Sequence, residues 1–286
     1  MTPLGSYDVA VSALLALIAA ACGGTSDFVG GVASRRAPAL VITFYGQIVG
    51  LFFGLALAVV LPGEFILGDV GWGLLGGIGS ALGLLSLYAG YAAAQVGIAA
   101  PVAGVGTAAF PVIVDVATGA SLTNRVAIGI GLGLIAIAFI SLSRSDSSGS
   151  VRASLLYGLG GALGLGSLLI CLGQTSEEGA LWSIGPTRVS GFAVIAAVML
   201  IRKTSFALPL GTFKYIAAIG VIGTMANALF VIAADLGSVS TAAVLLSMFP
   251  AATVLWARII FRERMRRIQV IGIALALIAV ALIVAG

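Results

Sequence analysis

The 286-residue sequence predicts an all-α polytopic membrane protein, with ten transmembrane helices arranged as two inverted five-helix repeats. Composition is the first observation behind this. Hydrophobic residues make up 60% of the chain and charged ones 8%, with a mean hydropathy of +1.21, whereas a soluble domain carries about 25% charged residues. The second is recurrence. Apolar stretches of about 18 residues or more, each able to cross about 30 Å of hydrocarbon as a helix, follow one another along the whole length. The third is that the two halves of the chain match.

Polar breaks divide the chain into spans near 9–33, 40–61, 71–95, 99–119, 126–143, 153–173, 183–201, 213–234, 238–260 and 267–285. The first lacks a basic leading region and is followed by many like it, so it is predicted to remain a span rather than be removed as a signal peptide. Pro38 ends the first connection, and Pro62–Gly63 follows the second span. The stretch 71–119 is too long for one helix, so a tight turn is placed near Gln95–Ile98, with Pro101 in the first turn of the fourth helix. Thr123–Asn124–Arg125 opens the fifth span, Pro209 precedes the eighth, and the run Arg262–Arg267 separates the ninth from the tenth. The only hydrophilic linker is "SRSDSSGSVR", 143–152. It predicts a first repeat over 9–143, a linker over 144–152 and a second repeat over 153–285.

The halves agree in order. "FPVIVDVATGASLTNRVAIGIG" begins at Phe110 and "FPAATVLWARIIFRERMRRIQV" at Phe249, an offset of 139 at which Pro111 meets Pro250, Arg125 meets Arg264 and Gly133 meets Gly272. Five spans per repeat is an odd number, so the second half enters the membrane from the opposite side. Such inverted repeats characterise many secondary transporters, with a site near the midplane between the halves.

Ten spans in two five-span repeats resemble the EamA-type transporters of the drug/metabolite transporter superfamily, and the resemblance covers essentially the whole chain. "GGTSDFVGG" at the end of the first span resembles the family's opening motif. The run Pro250 to Glu263, then Gln269 and Gly272, resembles its closing pattern, from which the first half departs at Asn124. The resemblance implies a secondary-active exporter of a small metabolite such as an amino acid, working by alternating access. A multidrug or cation efflux transporter is the alternative, and a non-transporting membrane scaffold or receptor stands behind it. The expected partners are the small-molecule substrate, protons and membrane lipids, with the chain acting as a monomer in the inner membrane.

Charge sorts the connections by side. Those after spans 1, 5, 7 and 9 carry Arg35, Arg36, Arg144, Arg152, Arg202, Lys203, Lys214, Arg262, Arg264, Arg266 and Arg267. Those after spans 2, 4, 6 and 8 carry only Arg125, with Glu64, Asp69, Glu177, Glu178 and Asp235. The positive-inside rule therefore predicts both termini outside, although related transporters are often drawn the other way round.

Asp27, Asp115 and Arg188 are the ionisable residues that fall well inside predicted spans. A charge at the bilayer centre costs about 2.5–3.5 kcal/mol on insertion scales, so such residues face a bundle interior or a wet cavity. Asp27 shares a helical face with Ala20, Gly23, Gly30 and Gly31, small residues expected to leave room beside the carboxylate. Two readings fit it: a cavity carboxylate that binds a proton or a cationic group, or a helix contact in which it hydrogen-bonds a neighbour. Arg188 corresponds to Gln47 at an offset of 141, and either pairs with Asp27 or Asp115 or clamps a substrate carboxylate. Ser80, Leu84, Tyr88, Tyr91 and Gln95 form a stripe on the third span, answered on the eighth by Thr224, Asn227, Val231 and Asp235. Tyr88 and Asn227 are predicted cavity walls. A milder stripe, Gly164, Ser167, Cys171 and Gln174, lies on the sixth span. Gly46, Gly50 and Gly54 read as small-residue packing. Pro111 and Pro250 each remove a backbone hydrogen bond mid-span and predict a paired hinge.

The chain has no histidine, which excludes a Ser–His–Asp triad and an HExxH metal site. "GWGLLG" at 71–76 has glycine-loop spacing but opens an apolar span, so it reads as packing. With no P-loop and no GxSxG, neither a cofactor, a bound metal nor an enzymatic activity is expected. The net charge of +4 is scattered and gives no sign of nucleic acid. Cys22 and Cys171 both lie in apolar segments, so no disulfide framework is expected.

Overall fold

The computed structural model describes residues 6–61, 63–93, 96–117, 124–142, 150–176, 178–236, 242, 245–246, 248–260 and 267–284. Among them the chain forms ten helices and no strand: α1 Ser6–Ser34, α2 Ala39–Val60, α3 Leu67–Ala93, α4 Val96–Ala117, α5 Asn124–Leu142, α6 Val151–Leu172, α7 Ala180–Ile201, α8 Phe213–Leu236, α9 Phe249–Ile260 and α10 Arg267–Val284. Six of them, α1, α2, α3, α6, α7 and α8, contain stretches long and apolar enough to cross a membrane. Exposed Phe52, Val59, Leu67, Leu156 and Ile201 on their outer faces fit contact with lipid rather than water.

Local chemistry sets the helix ends. Ser150 caps α6, its hydroxyl accepting the Ala153 amide at 3.4 Å. The chain leaves α7 through Lys203, whose φ of 51° is left-handed. There the Thr204 amide donates to the Met199 carbonyl at 2.9 Å and the Lys203 amide to that of Leu200 at 3.1 Å, the bond pattern that usually recruits glycine. Pro101 sits in the second turn of α4, not the first, because α4 begins at Val96. Near Pro250, one of the two predicted hinges, the chain turns at Met248 before α9 starts. The Met248 amide donates to the Leu245 carbonyl and the Ala251 amide to that of Met248, both bonds three residues apart. Pro250 therefore lies in a helical first turn, where its missing N–H leaves no bond unmade.

The tightest pairings cross the mid-chain linker. α1 packs along α8 and α3 along α6; α4 lies on α6 and α9 on α1; α3 lies on α7 and α2 on α8; α2 crosses α7, and α5 lies along α10. Glycine permits the closest approach. A Cβ on Gly164 of α6 would fall 2.5 Å from the Gly79 carbonyl oxygen and from the Gly83 backbone of α3. The main buried cluster gathers Phe28, Ile42, Leu87, Tyr88, Tyr91 and Ile216 from both halves of the chain.

The two ends of the bundle differ in chemistry. At one, the Arg36 guanidinium and the Lys214 ammonium lie 5.1 and 5.2 Å from the centre of the Tyr215 ring, and the Tyr45 hydroxyl donates to the Phe206 carbonyl at 2.8 Å. At the other, buried Asp69 accepts from the Ser176 amide at 3.2 Å and its hydroxyl at 2.5 Å, while the Glu64 amide donates to the Glu178 carbonyl at 2.8 Å.

Candidate functional site

A cavity of about 110 Å³ lies where α1, α2, α3, α6, α7 and α8 converge. Asp27, Gln47, Tyr88, Arg188 and Asn227 all line it, so five of the six residues singled out for a site share one space. The sixth, Asp115, and the hinge candidate Pro111 have side chains outside the described residues, as does all of Gln95.

The walls of the cavity differ. α1 presents Gly23, Ser26 and Asp27, and α2 presents Thr43, Gly46 and Gln47. α6 faces them with Leu165, Leu168, Leu169 and Leu172, a three-and-four-residue spacing that forms one apolar stripe. Phe230, Leu246 and Phe249 extend the apolar side. Ser80 and Thr107 add hydroxyls from α3 and α4.

The two charges are held differently. An Arg188 terminal N–H donates to Gln47 Oε1 at 3.2 Å, and both side chains are buried. Each lies over a glycine of the opposite helix: a Cβ on Gly191 would meet Gln47 Nε2 at 2.8 Å, and one on Gly50 would meet Arg188 Nε at 3.1 Å. Gly50 thus does more than let helices approach, since it leaves the room that the guanidinium occupies. Asp27 is 7% exposed and Arg188 6%, yet no ion pair joins them among the described residues. Among the described residues, Arg188 Nε, Gln47 Nε2 and the Thr107 hydroxyl have no hydrogen-bond partner. Unpaired buried polar groups are costly, and these three, all able to donate, suit acceptor oxygens placed in the cavity.

The room expected beside Asp27 is absent at Gly30 and Gly31, because aromatic rings of α3 occupy it. The Tyr88 ring sits against Gly30 and the Tyr91 ring against Gly31, closer than a side chain at either position would allow. Ser26 donates to the Ile219 carbonyl at 3.2 Å and tethers α1 to α8 beside Asp27. Thr43 and Thr107 were not singled out from sequence; a lone hydroxyl in an apolar run is the only signal either offers. Pro250 wedges against Gly104 of α4, beside Phe249 of the cavity wall. Among the described residues no three His, Cys, Asp or Glu gather as a metal site.

One solved structure, described only as "Crystal structure of protein", is similar in fold, with a TM-score of 0.61, 15% identity and coverage of 95% of each chain. No curated protein matches the chain. Residues 152–285 match the model of the EamA-like transporter family, a family of the drug/metabolite transporter superfamily.

Proposed function

We propose that this protein is a secondary-active transporter with ten spans of the inner membrane in two inverted repeats, 9–143 and 153–285, and that it exports a small zwitterionic metabolite of the amino-acid type by alternating access. The observation that carries the reading is the cavity with buried Asp27 and buried Arg188 on its walls and no ion pair between them. An ammonium suits Asp27, and a carboxylate suits the Arg188–Gln47 pair through its planar, charge-assisted donors. A drug-like cation would satisfy Asp27 and use the leucine stripe of α6, but it would leave Arg188 without a counter-charge. The inverted repeat is supported by the helix pairings, since exchanging the halves turns α1–α8 into α6–α3 and α2–α8 into α7–α3 and leaves α2–α7 unchanged. It is supported further by the reciprocal fit of Gln47 over Gly191 and Arg188 over Gly50, positions related by the same offset of 141. One chain supplies both halves, so the unit is a monomer. A proton on Asp27 is the proposed coupling ion, and the proposed hinges are Pro111 and the turn at Met248 that precedes Pro250. Export is carried by the family resemblance.

Uptake of radiolabelled neutral amino acids into sealed proteoliposomes with an imposed pH gradient tests the proposal. Accumulation that collapses when the gradient is dissipated is expected. Equal uptake by protein-free vesicles would overturn it. For topology, Gly63→Cys is expected to react with an impermeant maleimide on whole cells and Ser205→Cys only after permeabilisation, because the cationic end with Arg36 and Lys214 faces the cytoplasm. The reverse pattern would invert the assignment.

A further inference from the structure

Exchanging the halves reproduces most helix pairings but not all of them. α1 packs on α3, whereas the equivalent pair, α6 and α8, makes no comparable contact among the described residues. The α1–α3 contact is specific. The Tyr88 and Tyr91 rings fill the places left open by Gly30 and Gly31, and Arg35 Nε donates to the Tyr91 carbonyl at 3.2 Å. Between α6 and α8 lies the cavity instead, with Leu168, Leu169 and Leu172 on one side and Gly223, Ala226 and Phe230 on the other.

From this we infer that α1–α3 and α6–α8 are the two gates of the cavity, the first shut and the second parted in this structure. Leu169, Leu172 and Phe230 are then the residues that close the second gate in the opposite state. In an inverted repeat the two end states differ by exchanging the conformations of the halves, so a contact made within one pair is released when its counterpart forms. The side chains suit that exchange. α3 offers large rings to glycines on α1, and α6 offers large leucines to small Gly223 and Ala226 on α8, so either pair can close without overpacking. Contacts on the pseudo-twofold axis map onto themselves, so the Gln47–Arg188 bond persists in both states as the pivot. The inference rests on the transporter reading but goes beyond it, since it names which contacts break and form.

The test needs no substrate. In a variant lacking both native cysteines, Thr107→Cys places a probe thiol in the cavity at the cost of a hydroxyl that has no partner. One version adds Gly31→Cys with Tyr91→Cys, whose Cβ atoms would start 2.6 Å apart and must part by about 1 Å to link, with Gly30→Cys and Tyr88→Cys as the alternative should that pair fail to fold; the other adds Leu172→Cys with Phe230→Cys. Disulfides are formed with copper phenanthroline and mapped by mass spectrometry, and residue 107 is labelled with an impermeant maleimide in right-side-out and inverted vesicles. With 31–91 linked, labelling is expected only from the end that carries Glu64 and Glu178. With 172–230 linked, it is expected only from the Arg35 end, and reductant should restore the unlinked pattern. Labelling from the same end in both linked forms would overturn the inference, as would failure of 172–230 to link at all. Leu169→Cys with Asn227→Cys carries the same expectation should the first α6–α8 pair fail to fold. If the linked forms switch sides while no solute is taken up by vesicles, the gates stand and the proposed function falls.

Discussion

Gly164→Leu is expected to leave almost no folded protein. Its Cβ alone would sit 2.5 Å from the Gly79 carbonyl oxygen and the Gly83 backbone. Those are main-chain atoms that cannot step aside as a side-chain tip can, so α6 would have to lift off α3. Overpacking commonly costs about 1–3 kcal/mol, and a clash between two backbones lies at or beyond the upper end. Because the α3–α6 pair joins the two halves of the chain, the loss falls on the whole bundle. Size-exclusion profiles in detergent and thermal unfolding read the effect, with Gly71→Leu as control, since a Cβ on Gly71 meets nothing within 4 Å. Equal melting temperatures for the two variants would contradict the packing described.

Asp27→Asn is expected to abolish gradient-driven transport while leaving the fold intact. A carboxylate locked in an ion pair would, on removal, strand its partner at a cost of about 3–5 kcal/mol. Arg188 instead holds Gln47, so the amide leaves no guanidinium newly unpaired. Removing a charge from mid-membrane also lowers the insertion cost, by up to about 2.5–3.5 kcal/mol on insertion scales. The variant should therefore melt at or above the wild-type temperature and still label normally at the cavity, yet show no accumulation under a pH gradient. Full accumulation would remove Asp27 from the coupling role. A fall in melting temperature that Arg188→Gln partly reverses would restore the ion-pair reading.

Much of the helical layout could be read from the sequence because each break carries a physical mark. α2 runs 39–60 against a predicted 40–61, and α10 runs 267–284 against 267–285. Pro38, the Pro62–Gly63 pair and the charged run near 262–267 mark these ends by chemistry that needs no partner. The polar residues of the cavity were legible for a similar reason. Asp27 and Arg188 in apolar spans demand a place away from lipid wherever the helices pack.

What periodicity does not carry is the identity of the neighbour. A stripe of glycine on α1 says that something comes close. It does not say that tyrosine rings of α3 will occupy the space, nor that α1 lies along α8 from the far half of the chain. On α6 the sequence points to the stripe Gly164, Ser167, Cys171 and Gln174, yet the cavity is lined by Leu165, Leu168, Leu169 and Leu172, and only the position of α6 across from Asp27 makes them its wall. The linker at 144–152 divides the sequence, but the closest helix pairs cross it, so the halves interlock rather than sit side by side. Thr107 and Thr43 stayed unnoticed because a single hydroxyl in an apolar helix usually bonds its own backbone. Thr43 does so, donating to the Ala39 carbonyl at 2.8 Å, and Thr107 does not.

The unlike walls of the cavity bear on how the chain must be made. On the proposed twofold relation, two copies of the first half would bring Asp27 and Gln47 to the centre twice and Arg188 not at all. Two copies of the second half would bring two guanidiniums and a doubled lining of leucine, with no carboxylate to balance them. Neither homodimer has a neutral, two-signed centre, and in each the like charges repel in a medium that screens them poorly. Only the unlike pair assembles the site. Residues 6–142 and 151–284 expressed as separate chains should therefore regain activity when made together and show none alone, and the covalent join is what keeps the stoichiometry at one to one.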